Sequence, residues 1–410
     1  MTVEMKPLGN SCNLACVYCY QEPMRKAGNT RTSKGYDLEL MMKIADSEYN
    51  DGDKRYTLFG GEALLVPEKD LEVLFKSSYD KYGGSAIQTN GSLINDKHIK
   101  MFKKYNVNVG ISIDGPNELN SLRVPCGGKK TVDELTKATM DNIVRLVNEN
   151  VQVGIIITVH KMNGTKDKLP RLINFIQWLD SIGIKGGNIH MMEVDSEEAM
   201  GYCLSSEENE YAFLHLAEWL YGKNLRWYPF QEMEEMMRGD DSTAHCVWKS
   251  CDPMNTQSVF GIEGNGQKSN CGMVNKEGIE WTKAEKLDGS GMDINYMRDF
   301  ILFNTPDEFG GCAGCRFFIM CNGYCPGSSI NGDWRNKTIY CSTLKKLFSF
   351  YEGKLEEEGI VPFSKRPNRA TLEKNYISHI ENGSRLGISV LENIKDMVKV
   401  PVGKRGGGVR

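Results

Sequence analysis

Between residues 3 and 206 the chain repeats one pattern six times: a short strand-forming run, a glycine or polar break, then an amphipathic stretch of helix length. The strand-like runs are VEMKPL (3–8), RYTLFGG (55–61), SAIQTNG (85–91), NVGISIDG (108–115), VQVGIIITV (151–159) and GNIHMMEV (187–194). Helical periodicity follows at about 37–50, 68–82, 95–105, 133–150 and 166–182, and again from Ser206. Such alternation specifies an α/β fold with a parallel sheet. Six units predict a partial (β/α)6 TIM-like barrel, with the functional loops at the C-terminal ends of the strands.

The second constraint is sulfur. Thirteen cysteines in 410 residues are odd in number, and a reducing cytosol does not sustain structural disulfides, so metal binding is the expected use. They are also clustered. Cys12, Cys16 and Cys19 lie in one loop after the first strand, in GNSCNLACVYCYQEP (9–23). Cys246, Cys251, Cys271, Cys312, Cys315, Cys321, Cys325 and Cys341 fall between residues 246 and 341, and Cys126 and Cys203 stand alone. A tetrahedral metal or a cubane cluster takes four ligands, so C-x3-C-x2-C leaves one position open, which suits catalytic iron better than structural zinc. A net charge of −4 gives no drive toward nucleic acid or an anionic membrane. No apolar run approaches the roughly 20 residues of a membrane span, and there is no signal peptide. A cytoplasmic protein is expected.

Cys12, Cys16 and Cys19, with Tyr18 just before the third, resemble the signature of the radical S-adenosylmethionine (radical SAM) enzymes. The likeness runs over roughly residues 3–200. GGE at Gly60, Gly61 and Glu62 resembles the motif that binds the SAM amino group, with the glycines letting backbone approach the methionine moiety. QTNG, with Gln88 and Asn90, ends the third strand; SIDGP, with Ser112 and Asp114, ends the fourth. Ser112 resembles a SAM-contacting serine, Asp114 shapes the turn, Arg123 sits where relatives carry an arginine for the SAM carboxylate, and Tyr18 is expected against the adenine. The resemblance implies a [4Fe-4S] cluster on the three cysteines, its open iron chelated by SAM, and a 5'-deoxyadenosyl radical that abstracts hydrogen from substrate.

The later cysteines resemble the SPASM signature: Cys251-x14-Gly266-x4-Cys271, then Cys312-x2-Cys315-x5-Cys321-x3-Cys325, then Cys341, with Cys246 as an extra thiol upstream. Eight thiolates suffice for two closed [4Fe-4S] clusters, or for two zinc sites if the segment is read alone. By resemblance to SPASM enzymes, Cys246, Cys251, Cys271 and Cys325 hold auxiliary cluster I, and Cys312, Cys315, Cys321 and Cys341 auxiliary cluster II, for three clusters in all. The expected division is a radical SAM partial barrel over 1–205, a helical bridge over 206–245, a SPASM domain over 246–345, and a C-terminal helix with a flexible tail over 346–410. His160, His190 and Glu193, at the ends of strands five and six, and Cys126, after Arg123, are the candidates facing substrate.

Enzymes with two SPASM clusters most often modify peptides, so oxidative crosslinking, thioether formation or a similar change on a ribosomally made peptide is the leading expectation. The alternative is a dehydrogenase or sulfur-inserting enzyme acting on a small sugar or nucleotide. Anaerobic sulfatase maturases resemble the chain broadly but carry an aspartate, their proposed base, right after the cysteine that corresponds to Cys271; here Gly272 stands there, which argues against sulfatase maturation itself. Only eleven residues precede Cys12, so peptide recognition is expected from a separate leader-binding protein or from the barrel, the segment 200–245 or the C-terminal tail, and a reductant such as flavodoxin or ferredoxin is the other expected partner. The basic tail (363–410) is expected as a solvated helix with a frayed end.

Overall fold

The computed structural model describes residues 2–26, 35–47, 55–128, 130–253, 259–274 and 297–393. Six parallel strands follow the six expected runs: β1 (Thr2–Lys6), β2 (Tyr56–Leu58), β3 (Ser85–Thr89), β4 (Val107–Ser112), β5 (Val153–Val159) and β6 (Gly186–Met191). Three more strands join them: β7 (Arg226–Tyr228), β8 (Val259–Glu263) and β9 (Lys268–Ser269). The sheet order is β7-β6-β5-β4-β3-β2-β1-β8-β9, an open arc. Every pairing is parallel except β8 with β9.

The helices cover the outside of the arc. Glu68–Tyr82 buries Leu71, Leu74 and Phe75, and its C-terminus closes on Gly83 at φ +76°, a conformation glycine adopts without Cβ strain. Asp96–Lys104, Val132–Asn148 and Ser206–Leu220 each start with a capping box, from Asn95, Thr131 and Ser205. In β3 and β4 the buried positions Ile87, Val109 and Ile111 alternate with half-exposed Ala86, Gln88, Asn108, Gly110 and Ser112. The buried set packs against helices. The other set faces a concave interior that side chains do not fill, so the arc keeps a lumen where a closed eightfold barrel has a packed core.

Two expectations about domain layout need correction. The segment 206–245 is not purely helical: after Ser206–Leu220 it contributes β7, which continues the parallel sheet beside β6. The sheet also crosses the expected boundary at 245, because β8 pairs with β1 in register from Thr2↔Val259 to Lys6↔Glu263. The first strand of an arc has one unpaired edge, and β8 satisfies its backbone groups. The tail also departs from a solvated helix: Arg369–Glu381 buries Leu372, Tyr376 and Ile380, and the Tyr376 hydroxyl donates to Asn322 Oδ1 at 2.8 Å. The terminal stretch expected to be flexible lies outside the described residues.

Candidate active site and cluster ligands

The cysteine loop is pinned from two sides by main-chain hydrogen bonds. The Ala15 amide donates to Val124 O (2.8 Å), the Val17 amide to Leu122 O (2.9 Å), and the Cys126 amide to Asn13 O (2.9 Å). On the opposite side the Gly61 amide donates to Gly9 O (2.9 Å) and the Glu62 amide to Ser11 O (2.8 Å). This contact explains the two glycines differently from the expectation. A Cβ at Gly60 would lie 2.6 Å from Gly9 O, and one at Gly61 would lie 2.2 Å from Ser11 O. The missing side chains admit the cysteine loop itself. Asn90 completes the seat by donating to Asn13 Oδ1 at 2.8 Å.

Glu62 is buried and ties two strand ends together: its carboxylate accepts from the Leu64 amide (2.9 Å), the Thr89 hydroxyl (2.6 Å) and the Asn90 amide (2.8 Å). Burial raises its pKa, and those three donors oppose the shift. Three bonds leave a carboxylate acceptor position for an ammonium. Gln88 Nε2 donates to Ser112 Oγ at 2.8 Å across neighbouring strands on the lumen side.

Asp114 does more than shape a turn. It is fully buried and accepts from Arg123 Nε (3.0 Å) and Nη2 (3.2 Å), the Thr158 amide (3.0 Å), His160 Nε2 (3.4 Å) and the Tyr18 hydroxyl. Burial alone would raise its pKa, yet Arg123 and His160 hold the carboxyl below the usual range. The Met162 amide donates to His160 Nδ1 at 3.1 Å, which assigns the ring proton to Nε2, aimed at Asp114. Arg123 also lies over the Tyr18 ring, 5.6 Å from its centroid, and His160 lies 5.5 Å from it. Tyr18, Arg123 and His160 are therefore held by Asp114. His160, expected to face substrate, is buried in this network, and two of the three Arg123 nitrogens are committed to it.

The first three thiols sit in a small apolar cluster with Leu14 and Leu135. Burial pushes the Cys12 thiol up to about 12 against the Leu14 amide, which donates to its sulfur at 3.3 Å. Arg25, passed over in the sequence, places its guanidinium beside Cys19 and near Cys12, fixed by Glu22 (2.6 Å) and by Asn10 O (3.2 Å).

The later thiols form two sets. Cys312, Cys315, Cys321 and Cys341 line one cavity walled by Phe317, Phe318, Leu344 and Phe348. Cys246, Cys251, Cys271 and Cys325 stand within charge-interaction range of one another. Burial raises Cys325 and Cys312 up to about 12 and Cys271 up to about 11, so ligation must displace protons from these sulfurs. Four thiols in each set match the all-cysteine donor chemistry of a [4Fe-4S] cluster.

Between Cys19 and the Cys271 set lies a polar group that sequence reasoning missed. Tyr20 is flanked by Cys271, Glu4, Cys19 and Glu193. A Cβ at Gly272 would come within 2.7 Å of the Tyr20 ring, so the tyrosine fills the space beside this glycine. On β1, Lys6 Nζ lies 3.3 Å from Glu4 and 3.9 Å from Glu263 on β8. Burial opposes its charge, yet the two glutamates keep its pKa raised. The signal was present as charged residues at alternate positions of a strand, V-E-M-K. Glu193 is buried and lies near Cys325 and Cys271. His190 sits 5.5 Å from the Tyr228 ring, and burial with nearby His245 lowers its pKa to about 4, leaving it neutral. Cys126 is exposed and Cys203 half-buried, its sulfur 4.0 Å from the Tyr340 hydroxyl.

Residues 7–201 match the radical SAM superfamily, so this part of the chain is a radical SAM domain. Among characterised relatives it is similar to the cysteine-type anaerobic sulfatase-maturating enzyme of Clostridium novyi, 25% identical over 377 residues that cover 85% of this chain and 94% of that one. It also resembles the serine-type anaerobic sulfatase-maturating enzyme of Bacteroides thetaiotaomicron, 36% identical over 127 residues, 29% of this chain and 30% of that one. The fold matches the solved structure of native anSMEcpe with bound AdoMet and Cp18Cys peptide, with a TM-score of 0.65 and 20% identity over 87% of this chain and 98% of that one. Among the described residues no helix is long and apolar enough to cross a membrane.

Proposed function

We propose that this enzyme oxidatively modifies a ribosomally made peptide, by crosslinking, thioether formation or a related change, outside the maturation of sulfatases. The observation that carries the reading is the division of the cysteines: three on the loop at the strand ends, and two later sets of four. Cys12, Cys16 and Cys19 would hold the SAM-binding cluster, and the two sets of four would hold the auxiliary clusters. When bound, these groups supply hydrogen abstraction and an exit for the electron left on the substrate. Glu62 would accept the SAM ammonium. Asp114 fixes Arg123 and Tyr18 beside the cysteine loop, and Gln88 and Ser112 line the lumen.

Substrate would enter that lumen, between Cys19 and Cys271, where Tyr20, Glu4, Lys6 and Glu193 present hydrogen-bonding groups. Peptide as substrate class is supported by the sulfatase-maturating relatives and by the peptide in the similar solved structure. Gly272, closed off by Tyr20, argues for a different reaction from theirs. A flavodoxin- or ferredoxin-type reductant and a leader-binding protein complete the proposal.

The test incubates anaerobically reconstituted enzyme with SAM, dithionite and synthetic Cys-, Asp- or Trp-rich peptides encoded beside its gene, followed by mass spectrometry. Loss of two hydrogens from a peptide, with equimolar 5'-deoxyadenosine, is expected. Turnover of a sugar or nucleotide with the peptides unchanged would overturn the reading.

A further inference from the structure

Arg298 is fully buried at the start of the helix Met297–Asn304. A guanidinium has five N–H donors, and all five end on main-chain carbonyls. Nε donates to Trp334 O (2.7 Å), Nη1 to Asn322 O and Tyr324 O (both 2.9 Å), and Nη2 to Gly323 O (3.2 Å) and Asn336 O (3.1 Å).

Three of those acceptors are consecutive and all left-handed: Asn322 at φ +49°, Gly323 at +69° and Tyr324 at +59°. Left-handed backbone is unfavourable for residues with a Cβ, so this loop needs support from outside itself. It links Cys321, of the Cys312 set, to Cys325, of the Cys251 set. The Arg298 amide donates to Asp252 Oδ2 at 2.9 Å, next to Cys251. The charge of Arg298 reaches Cys251 and Cys325 of one set and Cys312 of the other. With every donor taken by a carbonyl, no N–H remains to pair with a carboxylate.

We propose that Arg298 is a positioning residue shared by both auxiliary-cluster sites: it holds the left-handed loop that gives one cysteine to each, and its charge is balanced by the anionic clusters, whose reduced states it stabilises. The inference rests on the assignment of the eight later cysteines to two clusters. A cation beside a cluster favours the more negative oxidation state, and hydrogen bonding and local charge are among the levers that set cluster potentials.

The experiment uses the full chain in a Cys12/Cys16/Cys19→Ala background, reconstituted anaerobically, with Cys251→Ala and Cys315→Ala as single-site references. Absence of about eight irons in the background itself would overturn the cluster assignment. With those irons present, Arg298→Lys keeps the charge but not the fork, and Arg298→Gln loses both. Iron should fall in both sites together, more in Arg298→Gln than in Arg298→Lys. Clusters retained by Arg298→Gln should be at least tenfold harder to reduce, 59 mV for a one-electron couple, while those of Arg298→Lys titrate nearer the parent. Loss confined to one site, equal loss in the two variants, or parent potentials in Arg298→Gln would overturn the proposal.

Discussion

The two cysteine regions hold the same element by different means. In the first, three thiols lie within eight positions of one loop, and main-chain hydrogen bonds to residues 61–62 and 122–126 fix that loop in place. In the second, eight thiols come from between residues 246 and 341. There, buried side chains join pieces distant in sequence: Arg298 holds the 322–324 loop, and Tyr376 reaches Asn322 from the C-terminal helix. The first region therefore depends on where backbone runs. The second depends on which side chains are present.

The largest effect should come from emptying the first region. Cys12/Cys16/Cys19→Ala is expected to abolish 5'-deoxyadenosine formation while iron falls from about twelve to about eight atoms, the content of two cubanes. Full iron in that variant, measured colorimetrically, would break the division between the regions.

Asp114→Asn comes next. It leaves Arg123 as an unpaired buried charge, a change that costs about 3–5 kcal/mol, and it weakens the acceptor that Tyr18 and His160 share. A lowered Tm and weaker SAM binding by calorimetry are expected. Wild-type affinity would mean that this network does not support the SAM site.

Cys315→Ala tests the second region. Solubility and circular dichroism come first, because a cluster also staples the fold. The folded variant should lose about four irons and keep uncoupled SAM cleavage within a few-fold, yet fail to make product. Product at wild-type yield would remove electron transfer from the proposed role of that site.

Gly61→Ala sharpens the backbone side of the contrast. Its Cβ meets Ser11 O, and displacing that strand-end contact should cost about 1–3 kcal/mol. Iron loss should be confined to the first cluster. The smallest effect is expected at exposed Cys126: Cys126→Ser should leave iron and 5'-deoxyadenosine within twofold of wild type.

Much of this was legible in the sequence because it is periodic or local. The helix 68–82 begins and ends where its amphipathic pattern does, since burial of Leu71, Leu74 and Phe75 follows the helical repeat. The C-x3-C-x2-C spacing marks a loop whose ligands are neighbours in the chain. β7 escaped notice because three residues are too few to show alternation. β8 could be read as a strand but not as the neighbour of β1, for pairing partners depend on sheet order and leave no mark in either segment.

By itself the sequence determined the β/α alternation, the positions of the thiols and the glycines at the strand ends, because local backbone preference and side-chain chemistry are properties of short stretches. Only the tertiary structure decided what those glycines touch, that Asp114 gathers Tyr18, Arg123 and His160, and that Tyr20 closes over Gly272. Arg298 is the extreme case. Every residue carries a carbonyl, so nothing in the chain distinguishes the five that accept its bonds until folding brings them together around it.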